Sequence, residues 1–244
     1  TPEILIDITG LDELRGIRDE GGRTRIGALT RHVEVERSSE VAEKLPLIAA
    51  ALPFIAHPAI RNRGTIGGSL ALADPAAEYP ACAVALNADI EIASTAGRRK
   101  VPAVEFFKDL YETDLQSGEL LTAVEFPPLG ATERCVFLEL ARRHGDYALA
   151  GIAARATVQD GRIEQACLVF FGVGPKPMLA ANGATAVVGR AVDEATIADL
   201  HTALDDDLDP FDDMNSSGAY KLHIAKELAG RAVRKLTENE GAMA

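Results

Sequence analysis

Apolar positions along the chain fall into short runs of strand period and longer ones of helical period. Leu5 to Ile8 is nearly continuous in apolar side chains and reads as a buried strand, and Leu120 to Phe126 reads as a strand that stops at Pro127-Pro128. Cys135 to Leu140, Ile152 to Val158 and Ile163 to Phe171 read as three more strands, and Asp160-Gly161 between the last two predicts a tight hairpin. Asp19-Glu20-Gly21-Gly22 predicts a turn between Ile17 and Thr24 to Gly27. Ala88 to Ala93 and Lys100 to Val101 flank another turn, Thr95 to Arg98, and predict a second strand pair.

Helical spacing appears after Thr30, a candidate N-cap, and after Pro46, through Leu47, Ile48, Ala51 and Leu52. It returns from Thr196 to Leu204 and from Tyr220 to Leu236. There Leu222, Ala225, Leu228, Ala232 and Leu236 mark one buried face. Helix breakers dominate from Pro58 to Pro80, so that stretch is expected to be irregular. Pro127-Pro128-Leu129-Gly130 is the expected linker. The pattern is α+β: one domain over residues 1–130, then a smaller antiparallel sheet covered by helices over 131–244.

Composition narrows the functions open to such a chain. A formal charge of -12 argues against a nucleic-acid partner, because phosphate contacts need clustered Lys and Arg. No apolar run approaches the roughly 20 residues of a membrane span. Cys82, Cys135 and Cys167 are too scattered for a disulfide framework or an iron–sulfur or zinc ligand set, and the expected location is a reducing cytoplasm. The chain opens on Thr1 within an apparent strand, so a preceding segment is expected to be missing.

The chemistry concentrates between Ile55 and Glu78. Thr65-Ile66-Gly67-Gly68-Ser69 has the makings of a phosphate-binding loop: adjacent glycines allow close backbone approach, and flanking hydroxyls donate hydrogen bonds. Asp74 or Glu78 can accept from ribose or ribityl hydroxyls. A Gly-rich turn with no ligand accounts for the same residues equally well. Neither the dinucleotide fingerprint nor a Walker loop is present. His32, His201 and His223 are isolated in helical stretches, and His57 and His144 lack an evident carboxylate partner, so all five read as structural. Arg142-Arg143 is a candidate for steering an anion or a solvated pair, and Asp205-Asp206-Asp207 reads as an acidic loop.

Arg61 to Ser69, followed by Ala73-Asp74-Pro75-Ala76-Ala77-Glu78, closely resembles the second flavin motif of medium subunits of the xanthine dehydrogenase and carbon monoxide dehydrogenase family. The resemblance continues at Ala141 to Leu149 and at Gly172-Val173-Gly174-Pro175. It implies a flavin domain of the vanillyl-alcohol-oxidase (PCMH) type and a C-terminal domain of a three-stranded sheet with helices. It also implies FAD as cofactor, with Thr65, Ile66, Gly67, Gly68 and Ser69 on the pyrophosphate. Ser69 replaces the usual Asn or Asp, and Glu78 replaces the usual Asp. Leu121 resembles a residue packing on FAD, and Tyr147 the aromatic neighbour of the isoalloxazine. The implied partners are a molybdopterin-binding large subunit and an iron–sulfur small subunit, between which and an external acceptor the flavin relays electrons. The family's first flavin motif lies ahead of Pro2, so weak flavin binding is expected of this chain. A flavin-free structural subunit and a stand-alone flavin oxidase are the alternatives.

Overall fold

The computed structural model describes residues 3–238. The first strands form the expected hairpin, β1 (Ile17–Glu20) with β2 (Arg23–Gly27). Three short helices follow: α1 (His32–Glu36), α2 (Ser39–Lys44) and α3 (Pro46–Ala51), the last opened by Pro46 as its spacing predicts. Thr30 is not the cap of α1. Its hydroxyl exchanges hydrogen bonds with Gly16 N and O, and Arg31 takes the cap position.

The breaker-rich stretch is helical after all, in α4 (Pro58–Arg61), α5 (Ile66–Leu72) and α6 (Glu78–Ala85). Each helix is too short to establish a sequence period. Pro58 sits in the first turn of α4, where a missing N–H costs nothing. The chain then runs through β3 (Asp89–Ser94), β4 (Gly97–Pro102), α7 (Ala103–Phe106), β5 (Phe107–Asp109), β6 (Glu112–Thr113) and β7 (Leu120–Phe126). An antiparallel sheet results in the order β1-β2-β7-β3-β4. Central β7 is paired on both edges and is almost wholly buried, which explains why five of its seven residues are apolar.

Residues 127–130 are irregular. Beyond them come β8 (Glu133–Ala141), β9 (Ala148–Gln159), β10 (Arg162–Phe171), β11 (Met178–Leu179), α8 (Ala181–Val187), α9 (Glu194–Asp207) and α10 (Gly218–Thr237). The second sheet therefore has four strands, in the order β11-β10-β9-β8, where three were expected. Two-residue β11 is too short to show alternation, and only its pairing with Val169 and Phe170 defines it. At the β9–β10 hairpin Asp160 and Gly161 both have positive φ, 50° and 73°, as a primed two-residue turn requires.

This sheet is covered on both faces. Phe137, Ala153, Val169 and Phe171 join the core that contains α3 and α6, while Ile152, Ala154, Leu168 and Phe170 face α8, α9 and α10. The buried face of α10 is wider than predicted, adding Ile224, Ala229 and Val233 to Ala225, Leu228, Ala232 and Leu236. Asp205 to Asp207 form the last turn of α9 and not a loop. Asp205 pairs with Lys226, and Asp207 accepts from the backbone of Asn182 and Gly183 at the start of α8. Ser217 caps α10, accepting from Tyr220 N at 3.3 Å. Ser217→Ala is expected to cost about 1 kcal/mol, a fall of roughly 3 °C in melting temperature; an unchanged thermal midpoint would show the cap to be dispensable.

The segment Ile4 to Ile8 is not a strand. Ile4, Leu5 and Ile6 are 77%, 86% and 81% exposed, and no strand pairs with them among the described residues. Apolar content predicts a strand only where another strand can satisfy its backbone N–H and C=O groups.

Candidate functional site

Two clefts meet between the halves of the chain. The larger, about 510 Å³, is lined by Thr65, Gly68, Ser69, Asp74, Glu78 and Tyr147 among others. Apolar Leu29, Ile55, Ile60 and Leu72 also line it, as do Arg63 and Asp146. The second, about 350 Å³, shares Asp74, Asp146 and Tyr147 with the first and continues to Tyr111, Arg142, Phe211 and Lys221. Tyr147 is 62% exposed where the two join. Both volumes lie in the range of small-molecule and cofactor sites.

The glycine motif has a different geometry from the one its composition suggests. It is the first turn of α5, capped by Thr65, whose Oγ1 accepts from Gly68 N at 3.1 Å. Ile66 N donates to Thr30 O at 3.1 Å and Gly67 N to Ala28 O at 2.9 Å. These N–H groups are therefore engaged within the protein and do not face a ligand. Ile66 and Gly67 are buried against β2 and the residues after it. The motif presents its Thr65 and Ser69 side chains and the bare surface of Gly68 to the cleft.

Leu121 also lies away from the cleft. It is 4% exposed in β7, opposite Ile92, within the core. Asp74 holds the turn after α5, accepting from Ala76 N at 2.9 Å and from the Tyr111 hydroxyl at 3.1 Å. Ala73 before it is left-handed, with φ of 52°, which ends α5 and turns the chain toward Asp74.

Several residues of the site escaped the sequence. His32 lies buried in the cleft wall, its ring 5.3 Å from that of Tyr79, with Nδ1 unpartnered. Burial, with the nearby Arg61 guanidinium, lowers it to about 4, so it is a neutral imidazole at physiological pH. Arg61 is structural: it donates to Ile55 O and Ala56 O and pairs with Glu36. Arg63 has no such bonds among the described residues and is the cation available to the larger cleft. No sequence signal separates two arginines two positions apart. His144 stacks near Phe54 at 6.1 Å.

Glu78 begins α6 and is 6% exposed. Burial pushes its carboxyl up to about 7, reinforced by the charge of Asp74. Glu139 on β8 is pushed up to about 8 by burial and by the charge of Glu78. Among the described residues no group of His, Cys, Asp and Glu could hold a metal ion, and no helix is long and apolar enough to cross a membrane.

Joined clefts with apolar residues, hydroxyls, carboxylates and two arginines, Arg63 and Arg142, unpaired among the described residues suit a ligand that joins a flat ring to a polyol and a phosphate group. Residues 1–129 match the family described as the FAD binding domain in molybdopterin dehydrogenase, and residues 136–236 match the CO dehydrogenase flavoprotein C-terminal domain. The chain is 34% identical over 236 residues to the glyceraldehyde dehydrogenase medium chain of Sulfolobus acidocaldarius, covering 97% of this chain and 84% of that one. It is 33% identical over 232 residues to the carbon monoxide dehydrogenase medium chain of Hydrogenophaga pseudoflava, covering 95% and 81%. Among solved structures, quinoline 2-oxidoreductase from Pseudomonas putida 86 superposes with a TM-score of 0.91 at 37% identity, covering 100% of this chain and 84% of that one. The chain thus carries a flavoprotein's FAD-binding domain. It belongs to the family of FAD-binding medium subunits of molybdenum hydroxylases of the carbon monoxide dehydrogenase and xanthine dehydrogenase type.

Proposed function

We propose that the joined clefts hold FAD and that the subunit relays electrons from iron–sulfur clusters of a small partner subunit through this flavin to an external acceptor. A molybdopterin-binding large subunit would perform the substrate chemistry, in the cytoplasm. The observation that carries this reading is the convergence of Thr65, Gly68, Ser69, Asp74, Glu78 and Tyr147, from both halves of the chain, on one cleft. When bound, the flavin supplies the reversible electron uptake; the protein supplies position and surroundings.

In this reading residues 1–130 are a flavin domain of the vanillyl-alcohol-oxidase type and 131–244 close over it. Thr65 and Ser69 donate hydroxyl hydrogen bonds to the diphosphate, and Arg63 supplies the opposing charge. Gly68 leaves room for that approach. Tyr147 stands beside the ring. Ile66, Gly67 and Leu121 serve the site indirectly by fixing α5 and β7, since their side chains and N–H groups are used inside the protein.

The test is flavin content. The purified protein should quench FAD fluorescence on titration, and Thr65→Val should weaken binding about tenfold, the worth of one charge-assisted hydrogen bond. Purification from the native host should also bring down two further polypeptides, with molybdenum and iron. A protein that binds no FAD while assembling with both partners would instead be a structural subunit.

A further inference from the structure

His32 reads as structural by sequence, yet the fold sets it in the wall of the larger cleft, where it is 6% exposed. Two backbone contacts fix it beside the motif: Arg31 bridges to Thr65, and His32 N donates to Gly64 O at 3.0 Å. The ring lies against Tyr79, with centroids 5.3 Å apart, and its Nδ1 is buried with no hydrogen-bond partner. The opposite edge runs along Gly64, itself a cleft residue. A Cβ there would lie 2.6 Å from the His32 Nε2 and 2.8 Å from Cδ2, so glycine is what leaves this edge open. Nε2 has no partner among the described residues either, but it is not sealed off as Nδ1 is.

Burial, with the Arg61 guanidinium, keeps the imidazole neutral, so it carries a single N–H. On Nδ1 that hydrogen would be a buried donor with nothing to receive it, and orphaned buried N–H groups are rarer than spare acceptor lone pairs. On Nε2 it points to the cleft. The neighbouring polar groups are donors as well. Arg63 has donors only, and the Thr65 Oγ1 already accepts from Gly68 N at 3.1 Å, which leaves its own hydrogen free to donate. A wall of this kind suits an acceptor-rich, anionic group. We propose that His32 is a cofactor-binding residue, donating its Nε2–H to a phosphate oxygen of the ligand in the larger cleft beside Arg63 and Thr65. The proposal rests on the reading of the cleft as the flavin site.

His32→Leu removes the donor at similar volume. Affinity for FAD and for ADP should each fall about tenfold, while riboflavin, which has no phosphate, should bind as before. The thermal midpoint should hold or rise, because an apolar group replaces a buried polar atom that had no partner. His32→Gln restores an N–H at similar reach and should keep FAD affinity within about threefold of the unmodified protein. A His32→Leu protein that melts lower and binds FAD unchanged would make the ring purely structural and overturn the proposal. Equal losses for ADP and riboflavin would overturn it too, since the contact would then lie away from phosphate.

A second measurement needs no cofactor. Nitrogen-15 NMR of the His32 ring at neutral pH should find the proton on Nε2 and Nδ1 bare. A proton on Nδ1 overturns the proposal whatever the cleft binds. A proton on Nε2 in a protein that binds neither FAD nor ADP would uphold the donor and count against the flavin site alone.

Discussion

Gly67→Val yields a poorly folded protein, whereas Gly68→Val folds and fails to bind flavin. The two adjacent glycines differ in what a side chain would meet. A Cβ on Gly67 would lie 2.5 Å from the Ala28 Cβ and 2.7 Å from its backbone, where α5 is pinned against the residues following β2. The contact is with backbone, which cannot move aside without breaking the Gly67 N to Ala28 O hydrogen bond at 2.9 Å. Overpacking of this kind costs about 3 kcal/mol or more, a drop of roughly 10 °C in melting temperature for a chain of this size. A Cβ on Gly68 meets only the Thr65 Oγ1, at 3.0 Å, and otherwise enters the cleft. There valine costs nothing in helix propensity, since it ranks above glycine, yet it fills space that the cofactor needs. Flavin affinity should fall about 100-fold, the effect of some 2.7 kcal/mol of lost contact. Melting curves and flavin titrations on both variants separate the two roles. A Gly67→Val protein with an unchanged thermal midpoint would show that α5 can shift, and the packing argument would fail.

The second large effect is expected at Glu91, far from the clefts. Its carboxylate collects Arg25 at 3.0 Å, Arg98 at 2.7 Å and the Thr122 hydroxyl at 2.7 Å on one face of the first sheet. The Arg25 side chain is only 7% exposed. Burial by itself would raise the Glu91 carboxyl, but the hydrogen bonds from Arg25 and Thr122 outweigh it and hold the group below its ordinary value. The stability this adds is present at neutral pH and is lost as pH falls through the depressed folded-state value. Glu91→Leu removes it at every pH and strands a buried guanidinium, at a cost of about 3 kcal/mol. Arg25→Met together with Glu91→Leu should recover most of that loss, since no buried charge is then left unpaired and Arg98, 65% exposed, is solvated. Urea melts of the two single variants and the double variant test this. A double variant as unstable as the sum of its parts would mean that the residues do not act as a pair.

Local signals were enough to fix much of the framework from sequence. The hairpins at Gly21-Gly22 and Asp160-Gly161 were legible because their turns demand residues that tolerate positive φ. β7 and α10 were legible because burial on both sides of a strand, or along one face of a long helix, leaves a distinctive pattern of apolar residues. The flavin motif was legible as a resemblance of residue order, and from it the family followed.

What the residues of that motif do was decided only by tertiary structure. Glycine reports that a side chain is excluded but not by what: at Gly67 the neighbour is Ala28, and at Gly68 it is the cleft. Likewise Leu121 is core and Tyr147 is cleft because of the packing around β7 and before β9, which no local pattern encodes. Ile4 to Ile8 had the apolar content of a strand and, among the described residues, no strand beside it, since pairing is a property of two segments. The raised carboxyls of Glu78 and Glu139 come from burial, and burial is set by the whole fold.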